Sequence, residues 1–438
     1  MSEVGAWTET IAACITAPGR GAVAIVRLSG SKSLDIARIV APFLPQDVVY
    51  RHAYFGDFET GDDGLCLVFA EGASFTGELV VELNCHGSPI SVNRLLEACY
   101  AAGARAAERG EFSLRAFLNG VIDLSEAEGI RETVDAMTDR QFDRANQLRV
   151  GMLAREIGPI LEDVRHGLTT VEALTDFSEE LGEFTFERKT ERLFAALEGI
   201  DKFLSSEALS RRIKEGLLVV LAGRPNAGKS SLLNALLKAD RAIVTAIAGT
   251  TRDAIEEQIA IDGIPVRLVD TAGLRESNDE VEQHGIRRSE QYMRDADLVL
   301  YLFDGSAGWT AEDERLFEGI GERGEVLATK ADLGRSERGI AVSVVSGEGI
   351  ELVIEHIRSR IENGATEPVT LVDRHYSVMH EVQNLVQESI DTLRNDSVPD
   401  DLAAVTLRGA LRKLGELTGE SASADVLEQI FSQFCIGK

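Results

Sequence analysis

The sequence predicts a multidomain protein: an α+β domain first, then an all-α helical domain, with an α/β P-loop domain inserted into the helical one. Three observations lead there. The chain has 438 residues, long for one core and enough for about three domains. Its apolar period changes from strand-like to helical near Ser125. Between about 216 and 360, short buried strands alternate with helices, after which helical spacing returns. The expected boundaries are 1–118, 119–214, 215–364 and 365–438, the second and fourth being one helical domain split by the third.

In the first segment, apolar runs at Ala22–Leu28, Leu65–Phe69 and Leu79–Leu83 read as strands, with a helix near Val92–Ala102. From Ser125, the residues Leu153, Ile157, Leu161, Val164, Leu168, Val171 and Leu174 recur every three or four positions, one helical stripe. Ser125 and Glu128 have the spacing of a capping box. Gly158-Pro159 inside the stripe predicts a kink or break. Beyond Pro368, Val382, Leu385, Val386, Ile390 and Leu393 form a further stripe, followed by Leu407, Leu411, Leu414 and Leu417. These stripes are core, and no function follows from them.

Composition excludes several classes. Hydrophobic residues make up 44% and charged residues 27%, with no uninterrupted apolar run of ~18 residues to span a bilayer. The first residues lack the basic-then-apolar pattern of a secretory leader. Five scattered cysteines without a C-x-x-C pair argue against zinc or disulfides and for a reducing cytoplasm. A net charge of −28 repels a polyanion, so any nucleic-acid contact needs a local basic patch or a partner. The basic residues Arg105, Arg109, Arg115, Arg408, Arg412 and Lys413 read as ordinary surface charges.

The insert carries the chemistry. The apolar strand Leu217–Leu221 leads into Gly223-Arg-Pro-Asn-Ala-Gly-Lys-Ser230, followed by the helical Ser231–Leu237. That is G-x-x-x-x-G-K-S in the strand–loop–helix setting it requires. Backbone N–H groups of Asn226, Ala227 and Gly228 can approach phosphates, and the helix beginning around Ser231 adds its positive end. Lys229 is suited to the β- and γ-phosphates and the Ser230 hydroxyl to Mg²⁺. Asp270-Thr-Ala-Gly273 closes the strand Val266–Asp270 after an Asp262-Gly263 turn, fitting Asp270 for the magnesium shell and the Gly273 N–H for the γ-phosphate. Between them Gly249-Thr-Thr-Arg-Asp253 offers Thr251 as the switch residue closing on Mg²⁺.

Base choice falls to Thr329-Lys-Ala-Asp332, after the strand Glu325–Thr329. The Asp332 carboxylate can accept both N1–H and N2–H of guanine, donors that adenine lacks. Lys330 covers the base plane with its stem, and Ser343 opens a loop whose N–H groups meet O6. The usual motif begins with Asn; Thr329 still donates one hydrogen bond. Together these motifs specify a Ras-like G domain that binds GTP with Mg²⁺. A Ras-type water-orienting glutamine is absent, because Leu274 holds that position. The acidic stretch Asp279-Glu-Val-Glu282 offers replacements, and the residues alone do not choose among them.

Across its length the chain resembles the tRNA-modifying GTPases of the MnmE/TrmE family. The P-loop Arg-Pro-Asn-Ala-Gly-Lys-Ser-Ser, the switch Ile247-Ala-Gly-Thr-Thr-Arg-Asp253 and the terminal Phe434-Cys-Ile-Gly-Lys438 carry the resemblance, with Phe75-Thr-Gly-Glu78, His86-Gly87 and Arg115-Ala-Phe-Leu-Asn119. It implies a homodimer through the N-terminal domains and G domains that pair when K⁺ is bound. The K⁺ would be held by Asn226, Thr245, Ile247 and Thr250, with Thr245 and Thr250 also lining the GTP site. It implies Glu282 as the water-orienting acid, alongside Lys229 and Thr251 in catalysis.

The resemblance also implies a tetrahydrofolate derivative, 5-formyl- or methylene-tetrahydrofolate, bound by Arg27 and Glu82 with Lys438 reaching in from the tail. Where the family has a lysine, this chain has Val121, which removes one expected cation. Cys435 is the tail's one possible nucleophile, but a lone Cys between Phe434 and Ile436 is expected to be buried and inert. The implied function is GTP-driven modification of tRNA wobble uridines with an FAD/NADH-dependent partner, in the cytoplasm and away from membranes. The competing reading is a ribosome-assembly or signalling switch without one-carbon chemistry.

Overall fold

The computed structural model describes residues 9–176, 185–239, 256–270, 291–361, 367–395 and 397–438. The chain gathers into two compact units. One runs up to Arg131 and adds Arg149–Ala154 and Leu411–Lys438; the other comprises Glu132–Leu148 and Arg155–Ala410.

The first unit is built on a sheet of order β3-β4-β5-β2-β1-β6. Its strands are β1 (Ile11–Cys14), β2 (Val23–Ser29), β3 (Ala53–Asp57), β4 (Asp63–Phe69), β5 (Val80–His86) and β6 (Arg105–Ala106). The two-residue period of β2 and β5 sends Ala24, Val26, Leu28, Val81, Leu83 and Cys85 into the core with helices α1 (Ser33–Val40) and α2 (Pro89–Ala101). The same period puts Arg27 directly opposite Glu82 on the other face. Toward the β3 edge, the cross-strand partners Phe55 and Leu65 stay 68% and 40% exposed.

Helix α3 (Glu111–Leu118) is followed by α4 (Leu124–Asp135). The cap of α4 lies two residues upstream of the expected Ser125–Glu128 pair. The Asp123 carboxylate accepts from the Glu126 N–H at 2.7 Å, and the Glu126 carboxylate accepts from the Asp123 N–H at 2.8 Å. The Ser125 hydroxyl donates to Asp123 instead, at 2.7 Å. An Asp closer to the turn outcompeted a Ser already inside the helix. Leu124 and Ala127 then pack with Ile430, Phe431 and Phe434, at the end of the chain's last helix.

Helix α5 (Asp139–Arg149) anchors the entry to the insert, the Gln141 amide donating to the Ile213 carbonyl at 2.9 Å. Helix α6 (Met152–Asp176) runs through Pro159 without the expected break. Burial of Leu153, Ile157, Ile160, Val164 and Val171 offsets the roughly 3 kcal/mol an internal proline costs. Ile160, rather than Leu161, faces the core, meeting Gly199 of α7 (Phe186–Leu204). After α8 (Glu207–Glu215) the chain enters the G domain, and it returns at α12 (Asp373–Arg394), where Tyr376 stacks 5.2 Å from Phe203.

The inserted sheet has order β12-β11-β10-β7-β9-β8. Its strands are β7 (Leu217–Gly223), β8 (Glu256–Ile261), β9 (Ile264–Asp270), β10 (Leu298–Asp304), β11 (Gly324–Thr329) and β12 (Ile340–Ala341). All neighbours are parallel except β8 and β9, which the Asp262-Gly263 turn joins with φ of 50° and 73°. One face packs under α9 (Lys229–Ala239) and α11 (Ile350–Ile361). The other is covered by an aromatic cluster of Tyr301, Phe303, Trp309 and Phe317, the last on α10 (Ala311–Glu318). Burial on both faces explains the unbroken apolar runs of β7 and β10. Parallel pairing gathers the C-terminal ends of β7, β9, β10 and β11 at one edge: Gly223 beside Leu302, Asp270 beside Leu221, and Asp304 beside Thr329. Two further helices, α13 (Asp401–Thr418) and α14 (Ala424–Phe431), complete the chain.

Candidate functional site

At that edge the P-loop needs its glycines. Gly223 has φ of 140°, and a Cβ there would stand 2.1 Å from the Leu302 carbonyl oxygen. Gly228, at φ 92°, opens the turn into α9. Asn226 itself is left-handed, with φ of 63°, a conformation Asn tolerates better than most residues. The Lys229 side chain is folded across the loop, donating to the Gly223 and Arg224 carbonyls at 2.9 Å each. An ammonium held there can meet phosphate oxygens by exchanging those carbonyls. Ser230 donates to Asp270 at 2.6 Å. That contact orients the Ser230 hydroxyl by a carboxylate, an arrangement that could serve a divalent cation. Ala227 is buried, whereas Ser230 and Ser231 face solvent.

The base end is joined to the phosphate end by one hydroxyl. Thr329 Oγ1 lies 2.7 Å from the Ala227 carbonyl and 2.9 Å from the Phe303 carbonyl, and its one proton can serve either. Lys330 is left-handed at φ 57°, its ammonium 2.5 Å from Asp304. That contact, first, and then the Ser306 bonds hold the Asp304 carboxyl down at about 2. Asp332 accepts from the Ser343 hydroxyl at 2.6 Å, which fixes its plane for a two-donor partner such as the guanine edge. Asp304 also belongs to this edge. Its signal was present: like Asp270, it closes an apolar strand. Thr245, Ile247, Thr250, Thr251, Gly273, Leu274 and Glu282 lie outside the described residues.

In the first unit, Arg27 donates to one oxygen of Glu82 through both Nε (3.0 Å) and Nη2 (2.7 Å). The guanidinium sits over the rings of Phe75 and Phe112 at 5.1 and 5.6 Å. Both bonds fall on Oε1, so Oε2 keeps lone pairs for a further donor. The tail reaches the neighbouring β1 and α3. The Phe112 N–H donates to the Lys438 carbonyl at 3.2 Å, Ile436 bridges Arg109, and Gly437 sits so close to β1 that a Cβ would be 2.5 Å from the Cys14 carbonyl. Val121 is 45% exposed beside Gly77, where a Cβ would stand 2.9 Å from Val121 Cγ2.

Two expectations fail here, for physical reasons. Cys435 is exposed, not buried: Phe434 and Gly437 are the tail residues that seat inward, and the two residues between them, Cys435 and Ile436, face outward. Arg115 is no surface charge but 1% exposed, paired with Glu78 and Glu111 at 3.1 and 2.9 Å. Glu111 also binds Arg105 at 2.6 Å. Burial works against the Glu111 anion, yet the bonds from Arg105, the Glu108 N–H and Arg115 keep its carboxyl below the usual range.

Exchanging Asp332→Asn turns an acceptor into a donor on the base edge. Nucleotide competition should show GTP losing affinity and XTP gaining it, because guanine N2–H and xanthine O2 demand opposite partners. An unchanged GTP preference would place base reading elsewhere.

The family model for the GTP-binding protein TrmE N-terminus matches residues 10–121, and that for the MnmE helical domain matches residues 124–435. The tRNA modification GTPase MnmE of Aquifex aeolicus is 40% identical over 447 residues, spanning 98% of this chain and 100% of its own. Those of Synechococcus elongatus and Moorella thermoacetica are 39% and 38% identical, spanning 99% and 98% of this chain and 100% and 99% of theirs. Among solved structures, a point variant of Aquifex aeolicus Era bound to GDP and AlF4⁻ is 22% identical, covers 38% of this chain and 66% of its own, and has a TM-score of 0.28. With likeness running from the N-terminal sheet through the helical domain and its insert to the tail, this chain belongs to the MnmE family of tRNA modification GTPases.

Proposed function

We propose that this GTPase is activated by K⁺ and works with an FAD/NADH-dependent partner. The pair adds an aminomethyl or carboxymethylaminomethyl group to C5 of the wobble uridine of certain tRNAs, using a tetrahydrofolate one-carbon donor. The observation that carries the reading is the seating of the Phe434–Lys438 tail against β1, the strand paired with the one that holds Arg27, and against Phe112, whose ring flanks Arg27. A plain GTPase switch has no use for a second polar site of this kind.

In this reading, Lys229, Asn226, Ala227, Gly228, Ser231 and Gly273 hold the phosphates. Ser230 and Thr251 hold Mg²⁺, with Asp270 orienting Ser230. Asn226, Thr245, Ile247 and Thr250 hold K⁺, which supplies positive charge to the reacting phosphates where other GTPases use an arginine. Glu282 orients the attacking water, the role that Leu274 cannot fill. Thr329, Lys330, Asp332 and Ser343 select guanine. Glu82 accepts from the pterin N–H edge, Arg27 and Lys438 face the folate's acidic end, and the tetrahydrofolate supplies the one-carbon unit. Cys435, exposed on the tail, is its one thiol.

The domains are proposed as 1–118 for folate and dimerisation, 119–214 and 365–438 for the helical domain, and 215–364 for the G domain. The exposed Phe55–Leu65 pair supports a homodimer through the first of these. The net charge of −28 supports leaving much of the tRNA contact to the partner, in the cytoplasm. Among the described residues no helix is long and apolar enough to cross a membrane.

Mass spectrometry of tRNA from a deletion strain should lose the substituted wobble uridines. Unchanged wobble uridines would remove the modification reading and leave the GTPase standing. GTP turnover by the full chain should be at least roughly tenfold faster in K⁺ than in Na⁺, a modest part of what an arginine finger supplies. Equal rates would remove the K⁺ role.

A further inference from the structure

Two carboxylates, not one, converge on the base end of the pocket. Asp332 is the expected one. Asp304 ends β10 in register with Thr329, and its turn packs against the base motif. The Gly305 N–H donates to the Thr329 carbonyl at 2.9 Å, and a Cβ on Gly305 would stand at that same 2.9 Å from the oxygen. Asp304 Oδ1 accepts from both the N–H and the hydroxyl of Ser306, at 3.0 and 2.6 Å, so the carboxylate is oriented before it meets any cation. Its other oxygen takes the Lys330 ammonium at 2.5 Å. The backbone of Lys330 is constrained as well: φ is 57°, and its carbonyl accepts from the Leu333 and Gly334 N–H groups at 2.9 and 3.3 Å.

A lysine stem covers a purine only if its free rotors are stilled. Ordering one long, rotamer-rich side chain at the moment of binding weakens affinity by about two- to tenfold. With the stem fixed at both ends, by a left-handed backbone and by an oriented carboxylate, that ordering precedes the nucleotide. We propose that Asp304 is a positioning residue for guanine nucleotides, holding Lys330 extended as the platform for the base. This assignment rests on the proposed role of Lys330 at the base. Asp304 touches neither phosphate nor magnesium in it; it acts only through the lysine.

The test is a double-mutant cycle on the full chain, read by GDP affinity and by affinity for inorganic tripolyphosphate, which has no base. Asp304→Asn keeps acceptor capacity for the Ser306 turn and removes the charge that fixes the ammonium. It should weaken GDP about fivefold and leave tripolyphosphate unchanged. In a Lys330→Ala background the same change should have no further effect, because the group it acts through is gone. GDP binding that is unchanged or tighter in Asp304→Asn overturns the proposal, the tighter result marking the ion pair as a block. An equal loss in both backgrounds, or a parallel loss of tripolyphosphate, also overturns it. If Lys330→Ala alone leaves GDP affinity unchanged, the base-site reading itself fails, an outcome distinct from failure of Asp304.

Discussion

A single hydroxyl, that of Thr329, sets the spacing on which the nucleotide pocket depends. Its oxygen stands within hydrogen-bond distance of Ala227 in the P-loop and Phe303 in β10, while its own backbone ends β11. The one proton of that hydroxyl ties the end of β11 to either of two segments that a parallel sheet only brings near it. Thr329 is 4% exposed, so the bond forms where its loss leaves a carbonyl without compensation from water. The side-chain reach of Thr is shorter than that of the Asn common at this position. The short distances show that the loop and strand sit close enough for it to serve.

A comparable constraint organises the N-terminal unit, there by charge. Arg115 is buried between Glu78 and Glu111, and Glu111 is shared with Arg105. A buried arginine is tolerated only with such partners, and removing one of them would leave an uncompensated charge. The network fixes the start of α3, whose Phe112 N–H receives the tail and whose Phe112 ring flanks Arg27. The geometry of the Arg27–Glu82 pair therefore depends on residues that look, in sequence, like ordinary surface charges.

The parts legible in the sequence are those governed by local rules. Asp262-Gly263 announces a two-residue hairpin, and G-x-x-x-x-G-K-S after an apolar strand announces its loop, because few backbones accept those residues. The α/β insert between helical stretches follows from a change of period, which burial imposes directly. What escaped is set by contacts distant in sequence or by competition between neighbours. Pro159 sits mid-helix because neighbouring helices bury the stripe around it. Asp123 captured the cap expected of Ser125 by standing closer to the turn. Cys435 faces solvent because Phe434 and Gly437 claim the inward positions, a choice made by β1 and α4 rather than by the tail. Asp304 went unseen because its partner, Lys330, is 26 residues away.

Thr329 makes one pocket of the base and phosphate ends, and the affinity for GDP of Thr329→Val beside Thr329→Asn tests that role most directly. Valine keeps the shape and lacks the donor, so GDP should bind about tenfold more weakly, the order expected when a buried hydrogen bond is broken. Asparagine restores a donor and should bind close to the parent. A valine variant that binds GDP as tightly as the parent would contradict the account.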